Sequence, residues 1–115
     1  MIVIVADATG EVLDYLAAKA DKWTAAGLRE IASGDAFPPQ YHYSRDWETG
    51  GFIVDEHIPT LIKRDGVWSA ECYDMTGFCL CYKGPTALIA ATRAFVASRL
   101  GWKVENVPES LLKAT

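Results

Sequence analysis

The chain has 115 residues, enough for one domain built around a single hydrophobic core. Half of the residues are hydrophobic and 23% are charged, which excludes an intrinsically disordered chain. Fifteen acidic residues against eleven basic ones give a net charge of −4, and the absence of a Lys/Arg cluster argues against nucleic-acid binding. No apolar run approaches the roughly 20 residues of a membrane span, so we predict no membrane contact. From its size we predict one domain over residues 1–115, and we expect it to be cytoplasmic.

The N-terminal region predicts a strand followed by a helix. The apolar run Met1–Ala6 has no basic residues before it, so we interpret it as a first strand and not as a signal peptide. Thr9 is the predicted N-cap of a helix from about Gly10 to Lys22. Its apolar stripe comprises Val12, Leu13, Leu16, Ala17, Ala20 and Trp23.

The centre of the chain is predicted to be irregular. The sequence does not decide whether a second short helix forms over 24–33, since Gly27 disfavours it. From Ser33 to Gly51 we expect a long loop, with Pro38 and Pro39 forcing an extended path. For 52–58 the periodicity fits a short helix or a strand.

Two hairpins follow. A two-residue turn at Asp65-Gly66 predicts that Leu61 pairs with Ala70. A four-residue connection over 74–77 would set Cys72 opposite Cys79. One face of the sheet, expected to lie under helices, would then carry Leu61, Trp68, Ala70, Cys72, Cys79 and Cys81. The three cysteines are therefore predicted to be buried free thiols, with a disulfide between Cys72 and Cys79 as the alternative.

A long helix is predicted after the two hairpins. Pro85 suits its first turn, and Gly101 ends it. The predicted buried stripe comprises Leu88, Ile89, Thr92, Phe95, Val96 and Leu100. The remaining faces are rich in alanine (Ala87, Ala90, Ala91, Ala94 and Ala97), which indicates either a helix packed on two sides or a dimer surface, and we favour a packed monomer. The predicted fold is α+β: an antiparallel sheet of three to four strands packed against the N-terminal and C-terminal helices, with the first strand at one sheet edge.

These patterns resemble the phage NinX-type family, small proteins encoded in lambdoid phages and prophages. The matching residues are Gly10, Leu13-Asp14, Tyr43-Ser44, Asp46-Trp47, Gly50-Gly51, Ile53, Trp68, Ala70, Gly84-Pro85-Thr86, Leu88-Ile89-Ala90-Ala91, Arg93 and Val96-Ala97-Ser98. Phe52 departs from the pattern, because the family tends to have proline after the glycine pair. The resemblance implies a phage or prophage origin in a bacterial genome. It transfers no catalytic residue, since no activity is assigned to the family.

The segment 41–51 is the strongest candidate for a binding site, because Tyr, Trp and Arg are enriched at binding hot spots. The candidate residues are Tyr41, Tyr43, Arg45, Asp46, Trp47, Gly50 and Gly51. The structural alternative is that Tyr43 and Trp47 anchor the loop to the core while Asp46 caps a short helix. We predict a non-enzymatic module that binds a host or phage protein through this segment, without a cofactor. A prophage remnant without a present partner is a further alternative.

An enzymatic alternative rests on His42, Asp46 and His57, which would serve a small hydrolase or a nucleotide-modifying enzyme. Adding Asp55 and Glu56 would give a metal site, but the chain lacks the spacing of known zinc motifs. We therefore predict no metal site.

Overall fold

In the computed structural model of the protein, residues 1–21, 28 and 41–114 are described, and for 113 and 114 the backbone only. The predicted second helix over 24–33, Leu28 excepted, and the path through Pro38 and Pro39 lie outside these residues. The regular elements are β1 (Val3–Ile4), α1 (Gly10–Ala20), α2 (Trp47–His57), β2 (Thr60–Arg64), β3 (Val67–Tyr73), β4 (Cys79–Gly84), α3 (Ala87–Leu100) and β5 (Lys103–Val104), with short 3-10 helices at Val5–Asp7 and Glu109–Ala114.

The architecture is α+β, as predicted. Strands β2, β3 and β4 form an antiparallel sheet in that order. Helix α3 contacts β3 and β4 as well as α1 and α2, so it lies at the centre of the molecule. Its central position explains why Phe95 and Val96 are almost completely buried.

The first helix begins where it was predicted to begin. Thr9 occupies the N-cap position of α1, although its side chain makes no capping hydrogen bond. The helix ends at Ala20, and Leu13 and Leu16 are fully buried on its inner side. The predicted apolar stripe therefore faces the core over its described length, since Val12, Ala17 and Ala20 are also buried.

The first hairpin has the predicted register. Leu61 pairs with Ala70, and Asp65 and Gly66 both have positive φ, at 52° and 79°. Two consecutive positive φ angles define the type I′ turn, whose twist matches that of the adjoining strands. The Asp-Gly pair therefore sets the register of β2 against β3.

The second hairpin was predicted one residue out of register. Cys72 pairs with Leu80, and Tyr73 pairs with Cys79. The connection has five residues, because Asp74 accepts hydrogen bonds from the backbone N–H groups of Thr76 and Phe78 and so keeps Phe78 within the loop. A shift of one residue moves every following side chain to the other face of the sheet.

Helix α3 starts two residues later than expected. Thr86 is its N-cap and accepts a hydrogen bond from the Ile89 N–H at 3.1 Å, so Pro85 precedes the helix and is not in its first turn. All five alanines on its remaining faces are buried within the chain (Ala87, Ala90, Ala91, Ala94 and Ala97). This burial favours packing on two sides as the role of the alanine-rich faces.

The N-terminal strand does not join the main sheet. Val3 pairs with Val104, so β1 and β5 form a separate two-stranded antiparallel sheet. Strand β1 covers only Val3–Ile4 of the predicted run, and Val5–Asp7 turns into a 3-10 helix. This short sheet brings the start of the chain beside the segment that follows α3, because the Val5 N–H donates to the Trp102 carbonyl.

Candidate functional site

A buried carboxylate fixes the start of the candidate segment to α1. Asp14 is fully buried, and its Oδ1 accepts hydrogen bonds from the Ser44 backbone N–H at 2.8 Å and from the Ser44 hydroxyl at 2.6 Å. Its Oδ2 accepts from Arg45 Nε at 2.9 Å and lies 2.8 Å from Arg45 Nη2. Both carboxylate oxygens thus have charge-assisted or buried partners, which offsets the cost of burying the charge.

The two tyrosines of the segment belong to the core. Tyr41 and Tyr43 are both buried, and the Tyr43 ring meets Phe52 edge to face with centroids 6.1 Å apart. The Tyr43 carbonyl accepts from the Thr92 hydroxyl of α3 at 3.5 Å. These contacts agree with the anchoring alternative for Tyr43, and both tyrosines pack within the core.

The second half of the predicted loop is helical. Asp46 caps α2 by accepting a hydrogen bond from the Glu48 N–H at 3.0 Å. Gly50 and Gly51 lie inside the helix, and a methyl group on Gly50 would lie 1.9 Å from the Tyr43 carbonyl oxygen. Gly50 therefore allows α2 to contact the preceding turn closely. The low helix propensity of glycine gives no indication of this contact.

Among the candidate residues of the segment, Arg45 and Trp47 are exposed. Glu48, which was not a candidate, is exposed as well. The Trp47 side chain is not an anchor, because the residue is 56% exposed. The Arg45 side chain is 39% exposed even though Asp14 holds its Nε and Nη2. One large aromatic ring and one oriented guanidinium thus lie next to each other at the start of α2.

These two side chains form one wall of a cleft of about 540 Å³. The other walls come from β3 and from the start of α3. The lining residues are Ser44, Arg45, Trp47, Trp68, Pro85, Thr86, Ala87, Leu88 and Ile89. The cleft therefore brings together three parts of the sequence that are far apart along the chain.

Close packing of Gly84 shapes the cleft wall at the start of α3. A methyl group at Gly84 would lie 2.8 Å from the Ala90 nitrogen, so a larger residue would push the strand away from the helix. Arg93 reinforces this junction by donating from Nε to the Ala8 carbonyl at 2.9 Å and from Nη1 to the Lys83 carbonyl at 2.7 Å. Burial lowers the pKa of the Arg93 guanidinium, and the nearby Asp7 opposes that shift.

The residues of the enzymatic alternative do not meet. Asp46 and His57 lie at opposite ends of α2, about 16 Å apart at 1.5 Å per residue. His42 precedes the helix, and its carbonyl accepts from the Arg45 and Asp46 N–H groups. Within the described part of the chain, no three His, Cys, Asp or Glu side chains form a group that could hold a metal ion. The geometry therefore gives the three residues no common reaction centre.

The cysteine prediction was wrong for two of three residues. Cys72 is buried, whereas Cys79 and Cys81 are exposed on the other face of the sheet. All three thiols are free, so the alternative Cys72–Cys79 disulfide does not form. Partial desolvation and the adjacent Glu71 carboxylate raise the pKa of the Cys79 thiol, which lies 3.7 Å from Glu71 Oε2.

Sequence reasoning missed several residues that build the cleft. Neither Asp14 nor Trp68 nor Pro85 was among the predicted site residues. The available signal in the sequence was a single acidic residue within an otherwise apolar run, Val12–Ala18. The partners of Asp14 lie 30 and 31 positions along the chain, so no local pattern could identify them.

Comparison with known proteins identifies the family. The family model described as Bacteriophage P22, NinX matches residues 4–99. The chain belongs to this NinX family. No curated protein matches the chain. The helices in the described residues are too short or too polar to cross a lipid bilayer.

Several residues of the NinX resemblance line the cleft. Seven of its lining residues belong to the matching set given above: Ser44, Trp47, Trp68, Pro85, Thr86, Leu88 and Ile89. Others, such as Asp14 and Gly50, hold the walls in place. The cleft is therefore lined mainly by residues of that matching set.

Proposed function

We propose that this NinX protein is a non-enzymatic interaction module that binds a host or phage protein through the cleft. The cleft contains the exposed part of the predicted 41–51 site, namely Arg45 and Trp47, together with Trp68 from the sheet. The observation that carries the proposal is the convergence of these three side chains. Trp and Arg are the residue types most often found at the energetic centre of protein interfaces.

The position of Arg45 supports binding over a purely structural role. The Asp14 carboxylate orients the guanidinium through Nε and Nη2 while leaving it 39% exposed at the cleft. A side chain already held in one orientation loses little conformational entropy on binding. Arg45 is thus a preorganised donor, and Nη1 is the group that points away from the Asp14 ion pair.

The chemistry of the lining indicates what kind of segment would bind. No acidic residue lines this cleft among the described residues, although the chain as a whole carries a net charge of −4. Lys63 adds a second cation 5.8 Å from the centre of the Trp68 ring. We infer that the partner segment presents an apolar side chain to Trp47 and Trp68, with an Asp or Glu side chain next to it for Arg45.

The direct test compares Trp47→Ala with Trp102→Ala as capture baits. Trp102 is the matched control, because it is 62% exposed but does not line the cleft. Each bait and the wild type are incubated with isotope-labelled lysate of bacteria carrying a NinX-encoding prophage. We expect Trp47→Ala to lose a defined partner by a factor of about 10 or more, while Trp102→Ala retains it.

Folding must be equal for this comparison to be valid, so thermal midpoints are measured for all three proteins. Equal capture by Trp47→Ala and the wild type would refute binding at the cleft. A partner lost only from Trp102→Ala would place the interface near the β1–β5 sheet instead.

A further inference from the structure

The outer face of the sheet carries a pair of thiols that the proposed function does not use. Cys79 and Cys81 lie two positions apart on β4, so both side chains project to the same face, and both residues are exposed. The third cysteine, Cys72, lies on the opposite, helix-covered face. The outer face thus carries two free thiols, and the third lies on the inner face.

The spacing of the pair prevents an internal disulfide but suits a bridging ion. Two positions along a strand correspond to about 6.7 Å between Cα atoms, with the two Cβ atoms nearly as far apart. A disulfide needs a Cβ separation of about 3.8 Å, so the strand would have to deform. Two metal–sulfur bonds of about 2.3 Å each span about 4.6 Å, which the side chains reach by leaning toward each other.

The surroundings suit a singly charged ion. Glu71 pairs with Cys81 across the strands, and its Oε2 lies 3.7 Å from Cys79 Sγ. Lys83 follows on the same face of β4, and Arg64 lines a small pocket of about 220 Å³ together with Glu71 and Cys81. One acidic and two basic side chains give this region a formal charge of +1, which balances the −1 charge of a monovalent cation held by two thiolates.

We propose that Cys79 and Cys81 form a two-coordinate site for a monovalent soft cation, with Cu(I) as the probe. Thiolates are the ligands that Cu(I) prefers. Two S–H bonds break and release two protons, two Cu–S bonds form, and the copper stays in its +1 state, so no oxidant or reductant takes part. The carboxylate of Glu71, which accepts a hydrogen bond from the Cys79 thiol, lies where it can accept one of the protons.

The test is an anaerobic titration with Cu(I) in competition with a chromophoric chelator. Wild type is expected to bind one Cu(I) per chain and to remain a monomer by light scattering. Cys79→Ser and Cys81→Ser are each expected to bind at least about 100-fold more weakly, because the second thiolate no longer binds intramolecularly.

A spacing control separates a built site from ordinary thiol binding. The double variant Cys81→Ser/Lys83→Cys keeps two thiols on the same face of β4 but doubles their separation to about 13 Å, too far for one ion. It should bind as weakly as Cys81→Ser. Lys83→Ser, which removes one of the two basic side chains but no thiol, should still bind one Cu(I), with an affinity between those of the wild type and Cys81→Ser. Wild-type affinity in the double variant, or no loss of affinity in the single cysteine variants, would overturn the proposal.

Discussion

The two faces of the three-stranded sheet differ in what their residues do. The inner face, with Trp68 and Ala70, packs under α3 and contributes to the cleft, and both residues belong to the NinX pattern. The outer face carries Glu71 and the two exposed free thiols of Cys79 and Cys81. The inner face therefore builds the core and the cleft, whereas the outer face carries exposed thiols.

The inner side of the sheet and the hairpin loop also differ in how their residues are held in place. Its residues are held by contacts between distant segments, such as Asp14 to Ser44 and Arg93 to Ala8. The hairpin loop at the edge of the sheet is held by local hydrogen bonds, centred on Asp74. Substitutions on the inner side should consequently cost much more stability than substitutions in the local loop.

The largest effect is expected for Asp14→Ala. Removing this carboxylate leaves the buried Ser44 hydroxyl and N–H without their acceptor and releases Arg45. We expect a loss of about 3–4 kcal/mol in the free energy of unfolding, measured with urea. Asp21→Ala is the control, because Asp21 is exposed and the hydrogen bond that it accepts from the Tyr43 hydroxyl is long, at 3.4 Å. Equal losses in the two variants would contradict the central role of the buried network.

Gly50 and Gly51 in α2 are expected to change the stability in opposite directions when each is replaced by alanine. Gly50→Ala places a methyl group against the Tyr43 carbonyl and should cost about 2–3 kcal/mol. In Gly51→Ala the nearest atom outside the helix backbone is a Trp47 ring carbon at 3.8 Å, so the better helix propensity of alanine should gain up to about 1 kcal/mol. Urea unfolding of the two variants measures this difference in sign. A gain in stability for both would show that α2 does not contact the preceding turn closely.

A smaller effect is expected at the start of α3. Thr86→Ala removes the side-chain acceptor of the Ile89 N–H and should cost about 1 kcal/mol. Thr86→Ser keeps that acceptor and should remain close to wild type. Thermal unfolding of both variants compares them, and a serine variant as unstable as the alanine variant would assign the effect to the lost methyl group.

The smallest effect concerns the outer hairpin and depends on pH. Hydrogen bonds from Thr76 and Phe78 lower the pKa of the Asp74 carboxyl below its ordinary value of 3.8. A carboxyl whose pKa is lower in the folded state stabilises the fold above the ordinary value, and this contribution is lost as the pH falls through the folded-state pKa. The thermal midpoint of Asp74→Ala should therefore lie below that of wild type at pH 7, and the gap should narrow as the pH falls below the ordinary value of 3.8. A gap that is constant with pH would mean that the charge of Asp74 is unimportant.

Whether a feature of the fold could be predicted from the sequence depends on which residues determine it and how they act. The register of β2 against β3 was predictable because Asp65-Gly66 dictates a type I′ turn within two residues. The register of β4 was not, because the Asp74 side chain retains Phe78 in the loop, and this hydrogen bond has no simple signature. That single-residue shift moved Cys79 and Cys81 from the predicted core to the outer face.

The candidate segment could be singled out from the sequence, but the way in which it folds could not. The segment 41–51 was identified from its Tyr, Trp and Arg content, yet Tyr41 and Tyr43 proved to be buried. Gly50 was assigned to the loop predicted from Ser33 to Gly51, whereas it lies in α2 and contacts the Tyr43 carbonyl closely, which is a tertiary effect. Residues whose roles depend on distant partners can be assigned only from the folded structure.

The central claim is that the cleft side of this NinX protein binds a protein partner and that the outer face does not. Lys63 and Arg64 are adjacent on β2 but point to opposite faces, Lys63 toward Trp68 and Arg64 away from it. A photo-crosslinking amino acid is introduced at position 63 or at position 64, and the adducts formed in prophage-carrying cells are identified by mass spectrometry. The account predicts one defined adduct from position 63 that the Trp47→Ala substitution abolishes. The same adduct from position 64, or an adduct from position 63 that persists in Trp47→Ala, would contradict it.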